Sequence, residues 1–159
     1  MEEERELLRQ QLLDYYTLNI AEHTTAFEGV YPLIDRLNAH GLRWGIVTNK
    51  PWPYTEQLLQ FFKFASAPCA VICPDHVSQT KPAAEPLLLA CQQARCAAHE
   101  AIYIGDHQRD IDCGKNAGSP TIAVGYGYTN TVNEHKEWGA NYTVETADQI
   151  WPIVNSLLN

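Results

Sequence analysis

The feature that most constrains this fold is the regular alternation of short apolar runs with segments of helix length. Four β-rich runs span residues 42–48, 70–73, 101–105 and 121–124, and a weaker one spans residues 142–144. The connections between them are too long for tight hairpins and long enough for crossover helices. The pattern therefore predicts an α/β fold, in which a doubly wound parallel sheet is covered by helices on both faces.

The segments between these runs carry apolar residues at helical spacing. The apolar residues at positions 30, 33, 34 and 37 predict a helix that ends at Gly41, because glycine adopts the left-handed conformation that ends a helix. Gly118 is expected to end the helix over residues 108–117 in the same way. Further helices are predicted over residues 2–18, 54–62, 85–94 and 147–158.

The charge balance narrows the classes of partner. The chain has 159 residues, which corresponds to one domain, and 11 Lys and Arg against 19 Asp and Glu give a net charge of −8. With no basic cluster, this excess of acid argues against nucleic acid or an anionic membrane as a partner.

No apolar run approaches the length of about 18 residues that a membrane span needs, and the acidic start of the chain resembles no targeting signal. We expect a cytoplasmic protein.

The five cysteines do not form a recognisable metal or disulfide pattern. Their number is odd, their spacing does not match that of paired zinc ligands, and they lie in apolar stretches. We expect reduced, buried thiols that pack as small apolar side chains. The residues are Cys69, Cys73, Cys91, Cys96 and Cys113.

Polar residues cluster where the predicted strands end. Ligands of open parallel sheets bind at the carboxyl ends of the strands. Hydroxyl, amide and lysine groups bind phosphoryl oxygens, and carboxylates bind Mg²⁺. Together, these groups predict a site for a phosphoryl group and a metal ion. The candidates are Thr48, Asn49 and Lys50 after the first run, Lys81 in a later loop, and Asp106, His107 and Asp110 after the third run.

Each of these residues also has an ordinary structural interpretation when it is taken alone. Asp106 could simply cap the following helix, and Asp110 could be a solvated acid in its first turn. Thr48 could close its strand, and Asn49 could form a turn before a proline. Lys81, like Lys50 and His107, could be a surface residue. The coincidence of these groups at one predicted edge favours a site.

Three motifs in a fixed order resemble those of a known family. Thr-Asn after a strand, Lys-Pro before a helix and Gly-Asp-x-x-x-Asp after a strand resemble motifs II, III and IV of the haloacid dehalogenase (HAD) superfamily. Residues 44–51, 81–90, 103–118 and 126–140 are similar to its phosphoglycolate phosphatase branch. Residues 72–77, together with residues 105–111, are closer to bacterial N-acetylmuramic acid 6-phosphate phosphatases.

The resemblance implies a HAD-like, Rossmann-type fold and a phosphomonoester hydrolase that forms an aspartyl-phosphate with Mg²⁺ as cofactor. By this resemblance, Thr48 and Asn49 would hold the phosphoryl oxygens, and Lys81 would neutralise the phosphate. Asp106 would bind Mg²⁺, with Asp110 supporting the metal site. Thr48, Lys81 and Asp106 would be the catalytic residues.

The resemblance adds two weaker candidates and a substrate class. Lys50 and His107 would lie near the substrate. The substrate would be a small phosphorylated metabolite, such as phosphoglycolate or an amino-sugar phosphate.

One expected motif is missing. The family's first motif, a strand that ends in Asp-x-Asp, supplies the nucleophile, but Asp14 and Asp35 lie in helical patterns and Asp112 pairs with Asp110 inside motif IV. The resemblance then implies a sheet without its central motif I strand and a chain that starts inside a longer protein. Loss of that strand would leave a slot of about 10 Å between its neighbours. Residues 1–22 would be a remnant of a helical cap, and residues 23–159 an incomplete core.

Other functional classes stay open or are disfavoured. Without a nucleophile, the chain could be a non-catalytic remnant that binds phosphate or a protein. A phospho-acceptor receiver domain is disfavoured, since its acidic pair comes before the threonine and lysine, whereas here Asp106 follows Thr48 and Lys81. Dinucleotide binding is also disfavoured, because residues 125–130 lack a third glycine.

Overall fold

A computed structural model of the protein describes residues 25–127 and 131–158. The helix predicted over residues 2–18 and the cap remnant predicted over residues 1–22 lie outside these ranges. Five strands are described, and every pairing between them is parallel. They are β1 (Ile46–Val47), β2 (Val71–Ile72), β3 (Tyr103–Gly105), β4 (Thr121–Val124) and β5 (Tyr142–Val144).

Helices alternate with these strands along the described residues. They are α1 (Val30–Ala39), α2 (Trp52–Leu59), α3 (Glu85–Ala94), α4 (Gln108–Ala117) and α5 (Ile150–Leu157). Short 3₁₀ turns occur at Pro74–His76, Ala98–Glu100, Glu134–Glu137 and Ala147–Gln149. The alternation and the parallel pairing confirm the predicted α/β fold. None of the helices in these ranges is long and apolar enough to cross a membrane.

Four predicted elements have the bounds that the structure shows, whereas the helix predicted over residues 54–62 lies at Trp52–Leu59. The bounds of α3, α4, β4 and β5 match, and Gly118 ends α4 with a φ angle of 79°. The first strand is shorter than predicted, because regular pairing with β2 covers only Ile46 and Val47, although the Cys69 N–H also donates to the Trp44 carbonyl. The prediction for residues 147–158 was wrong in part, since a 3₁₀ turn precedes α5.

The strands form two separate sheets. β1 pairs with β2, and β4 lies between β3 and β5. Among the described strands, none pairs with both β1 and β3. The two sheets are instead linked by a side chain, because the Tyr103 hydroxyl on β3 donates to the Val47 carbonyl of β1 over 3.3 Å. The prediction that a family strand is absent from this position stays a prediction.

Helices cover both faces of the three-stranded sheet. Successive strand residues point to opposite faces. Ile122 and Val124 of β4 point to one face and pack with residues of α5, with α1 residues against the same cluster. Tyr103 points to the other face, where it packs with residues of α3 and α4. These two apolar layers hold β3 and β4 in position. They therefore also set the positions of the loops at the carboxyl ends of these strands.

All five cysteines are free thiols. Cys73, Cys91 and Cys113 are buried as predicted, and burial raises the pKa of each. Cys69 and Cys96 are only half-buried, so the prediction of burial was wrong for these two. They lie outside the strands and helices, where packing covers side chains less completely.

Candidate active site

The Lys81 side chain is buried in the loop before α3. Only 9% of it is exposed, and its Nζ lies 2.5 Å from Asp110 Oδ1. Nζ also donates to the Val47 carbonyl at the end of β1, over 3.4 Å. The interpretation of Lys81 as an ordinary surface lysine was therefore wrong. Its ammonium group is held between the end of β1 and the start of α4.

Asp110 uses both carboxylate oxygens. Oδ1 accepts from Lys81, and Oδ2 accepts from the backbone N–H groups of Asp106 at 3.2 Å and His107 at 3.1 Å. The side chain is 7% exposed, so the interpretation as a solvated acid was also wrong. Asp110 therefore connects Lys81 to the turn that follows β3. These contacts favour the supporting role that the resemblance gave Asp110 over direct metal binding.

Gly105, the last residue of β3, leaves open the space that the Asp110 carboxylate occupies. A Cβ atom at position 105 would lie 2.7 Å from Asp110 Cγ and 2.8 Å from its Oδ2. Real Cβ atoms do not approach other atoms so closely, so a side chain would displace the carboxylate. The glycine of the Gly-Asp-x-x-x-Asp motif is thus required by space.

Asp106 does not cap α4. The N-cap residue is His107, whose Nδ1 accepts from the Arg109 N–H over 3.2 Å. The alternative interpretation of Asp106 as a helix cap was therefore wrong. The Asp106 side chain is half-buried and lies directly against the backbone of Gly127, in the loop after β4.

Thr48 and Asn49 lie at the carboxyl end of β1. The Thr48 N–H donates to the Ile72 carbonyl over 2.9 Å, and the Thr48 hydroxyl oxygen accepts from the Lys50 N–H over 3.0 Å. Thr48 therefore closes its strand and starts a turn. The Asn49 amide reaches further, because its Nδ2 donates to the Lys81 carbonyl over 3.3 Å.

These contacts form one continuous network at the sheet edge. Asn49 contacts Lys81, Lys81 contacts Asp110, and Asp110 holds the turn that bears Asp106. Thr48 follows Val47, whose carbonyl accepts from Lys81, and the Thr48 side chain itself bonds to the Lys50 N–H. The structure thus brings together most of the predicted residues, and their roles toward a substrate stay predictions. The weaker candidate His107 stacks on Trp138, with ring centroids 6.3 Å apart.

Sequence reasoning missed Tyr103. Its hydroxyl joins β3 to β1, and burial, followed by the charge of Asp110, raises its pKa. A tyrosine inside an apolar run looks like any other core residue, so the sequence held no signal for this contact. Asn116 was also missed: its Nδ2 donates to the Pro82 carbonyl over 3.0 Å and ties α4 to the Lys81 loop.

The donor groups at this edge suit a hard cation. Within residues 25–127 and 131–158, no group of three or more His, Cys, Asp or Glu residues is arranged to hold a metal ion. Mg²⁺ nevertheless needs few protein ligands, since one or two carboxylates suffice when water and phosphate supply the rest. One carboxylate, such as that of Asp106, therefore fits Mg²⁺ as a single protein ligand.

Comparison with known proteins gives a family match and similar relatives. Residues 1–124 match the family described as haloacid dehalogenase-like hydrolase. An N-acetylmuramic acid 6-phosphate phosphatase from Pseudomonas aeruginosa is 37% identical over 155 residues, covering 98% of this chain and 69% of its own. A phosphoglycolate phosphatase from Xanthomonas campestris is 33% identical over 147 residues, covering 92% of this chain and 66% of its own. The chain thus spans about two thirds of the length of these curated relatives.

The fold is also found among solved structures. The crystal structure of a predicted phosphoglycolate phosphatase from Haemophilus somnus superimposes with a TM-score of 0.86 at 22% identity. The match covers 97% of this chain and 68% of that one. At this level of identity the similarity supports the fold, and the candidate site has to be judged on its own residues.

Proposed function

The chain belongs to the haloacid dehalogenase-like hydrolase family, and we propose that it is the phosphate-binding part of a Mg²⁺-dependent phosphomonoester hydrolase. Relatives that are 33–37% identical are phosphatases of phosphorylated small metabolites. The proposal assigns the same general reaction to this chain and places it at the network of Lys81 and Asp110.

The observation that carries the proposal is the fixed position of the Lys81 ammonium group. Lys81 lies at the carboxyl ends of the strands, in a side chain that is 9% exposed, and one carboxylate and one carbonyl hold it there. A flexible lysine would lose rotamer freedom when it bound an anion, whereas a lysine that is already ordered loses little. A cation held in place in this way suits the binding and charge neutralisation of a phosphoryl group.

The neighbouring residues complete the proposed phosphate site. The Thr48 hydroxyl, which the Lys50 N–H anchors, and the Asn49 amide, which the Lys81 carbonyl anchors, would donate to the other phosphoryl oxygens. Asp106 would hold Mg²⁺, and Asp110 keeps Lys81 and the Asp106 turn in place. When bound, Mg²⁺ supplies positive charge against the phosphate oxygens and orients them. Lys50 and His107 would lie nearest the rest of the substrate.

We propose that the nucleophile is supplied by a residue other than these 159. No aspartate in the sequence matches the family's first motif, and β1 and β3 are not joined by any described strand. The nucleophilic carboxylate would attack phosphorus while the bond from phosphorus to the substrate oxygen breaks, and a general acid supplied with the nucleophile would protonate the leaving oxygen to give the alcohol. Water would then cleave the aspartyl-phosphate to give inorganic phosphate and restore the carboxylate.

The proposed substrate class is a small phosphorylated metabolite. The relatives named above act on N-acetylmuramic acid 6-phosphate or phosphoglycolate, according to their names. The described residues offer groups for the phosphate and few for the remainder of a substrate. We therefore propose an amino-sugar phosphate or a phosphorylated small acid.

Isothermal titration of the chain with orthophosphate in the presence of Mg²⁺ tests the proposal. We expect binding by the wild type and a loss of affinity of about tenfold or more in Lys81→Met, because a charged contact is removed. The matched control is Lys63→Met, which removes an exposed lysine and should change affinity by less than about twofold. Equal affinity in wild type and Lys81→Met would refute the phosphate site.

A turnover assay tests the missing nucleophile separately. With p-nitrophenyl phosphate and Mg²⁺, we expect no hydrolysis by the chain of the printed sequence. Mg²⁺-dependent hydrolysis that Asp106→Asn abolishes would show that the chain has its own nucleophile. It would overturn that part of the proposal while leaving the phosphate site intact.

A further inference from the structure

The backbone of the loop after β4 packs closely against the Asp106 side chain. A Cβ atom built on Gly127 would lie 2.6 Å from Asp106 Cγ, and two other atoms of the same side chain, Cβ and Oδ2, would be closer still. Real Cβ atoms essentially never come within 3.0 Å of another atom in this way. The contact therefore leaves no room for a side chain at position 127.

Position 127 requires glycine because a side chain would not fit there, and its backbone conformation is not the reason. The described glycines with a positive φ angle lie elsewhere, for example Gly118 at 79°. Gly127 is not one of them, so its φ angle does not require glycine. The three atoms nearest to a Cβ at position 127 all belong to the Asp106 side chain, which is therefore what excludes alanine there.

We propose that Gly127 is a positioning residue for Asp106. Its backbone confines the Asp106 carboxylate to one orientation, which is the orientation that binds Mg²⁺. This inference rests on the metal role proposed for Asp106 above. A methyl group at position 127 would push the carboxylate aside, and the metal site would lose its protein ligand without any change in ligand chemistry.

Gly125, two residues earlier in the same loop, provides a matched control. A Cβ atom at position 125 would lie 2.6 Å from His135 Cε1 and 2.7 Å from Glu145 Oε2. Gly125→Ala therefore also introduces contacts shorter than 3.0 Å in the same loop, somewhat longer than those at position 127. The crowded residues are His135 and Glu145, which take no part in the proposed metal site.

The first experiment is calorimetric titration of the full 159-residue chain with Mg²⁺ alone. We expect Gly127→Ala to weaken Mg²⁺ binding about tenfold or more, and Gly125→Ala to change it by less than about twofold. Mg²⁺ affinity in Gly127→Ala within about twofold of wild type would overturn the proposal. Equal losses in both variants would also overturn it, because they would reflect general damage to the loop.

The second experiment needs no metal. A double-mutant cycle compares the effect of Gly127→Ala on the unfolding midpoint in the wild type and in the Asp106→Gly background. We expect a lower midpoint in the wild type and almost no shift when Asp106 has lost its side chain. Equal shifts in both backgrounds would overturn the positioning role. If the wild-type chain bound no Mg²⁺, the metal role of Asp106 would fail, and the cycle would still decide whether Gly127 positions Asp106.

Discussion

The Lys81 ammonium group lies 2.5 Å from the Asp110 carboxylate, although 29 residues separate them in the chain. Both side chains are more than nine-tenths buried. Asp110 also lies in the first turn of α4, where the helix dipole favours a negative charge. This pair joins the loop before α3 to the turn after β3, and Asn49, Asp106 and His107 each hydrogen-bond to one of its two residues.

Replacing Asp110 with asparagine should destabilise the protein. The neutral amide would leave the Lys81 ammonium buried without a counter-charge, and removing one partner of a buried pair costs about 3 kcal/mol or more. Urea unfolding measures the loss. The matched control is Asp112→Asn, where an exposed hydrogen bond from Gln108 is changed at a cost of less than about 0.5 kcal/mol. Equal free energies of unfolding for the two variants would mean that the Lys81–Asp110 pair does not stabilise the protein.

Replacing Tyr103 with phenylalanine should loosen the connection between the two sheets. The variant loses the hydrogen bond from the hydroxyl to the Val47 carbonyl but keeps the buried ring. We expect a loss of about 1 kcal/mol in the free energy of unfolding. Relative to the wild type, amide exchange should become faster in β1 and change less in β4. Tyr142→Phe, on β5, is the control and should leave β1 unchanged. Unaltered exchange in β1 of Tyr103→Phe would show that the hydroxyl does not link the sheets.

The thiols should differ in their reactivity toward iodoacetamide. Burial, followed by the neighbouring Cys96, raises the pKa of Cys91 to about 11. At pH 8, only about one Cys91 thiol in a thousand is then the reactive thiolate, and alkylation should be slow. Cys69 and Cys96 are more exposed and should be labelled first, as peptide mass spectrometry can show. Labelling of Cys91 as fast as that of Cys69 would contradict its burial.

The same pKa shift predicts how the stability of the folded protein depends on pH. The pKa of folded Cys91 lies above the ordinary value of 9.0, so folding favours the neutral thiol. Its contribution to stability is therefore complete below pH 9 and is lost as the pH rises toward 11. Thermal unfolding should show a fall in midpoint over this interval that is smaller in Cys91→Ala. An identical pH profile for the two proteins would rule out the effect.

The order of the elements could be read from the sequence, because strand and helix patterns depend on local spacing. The bounds of β4, β5, α3 and α4 follow from apolar runs and from residues such as Gly118 that end a helix. The start of β1 could not be placed, since it depends on where β2 pairs with it. Pairing between strands is a long-range property that the local pattern does not contain.

The candidate site was predictable in its residues and not in their contacts. Lys81 and Asp110 could be named because they lie at the ends of predicted elements and resemble family motifs. The sequence could not show that they bury each other, nor that His107 caps α4 in place of Asp106. The close approach of Gly127 to Asp106 was also hidden, since it joins residues on different loops.

The most direct test of the account is a crystal structure of the 159-residue chain grown with Mg²⁺ and orthophosphate. The account predicts one phosphate that contacts the Thr48 hydroxyl, the Asn49 amide and Lys81 Nζ, with Mg²⁺ on the Asp106 carboxylate beside it. Phosphate bound elsewhere on the molecule, or Lys81 and Asp106 pointing to separate surfaces, would contradict the account.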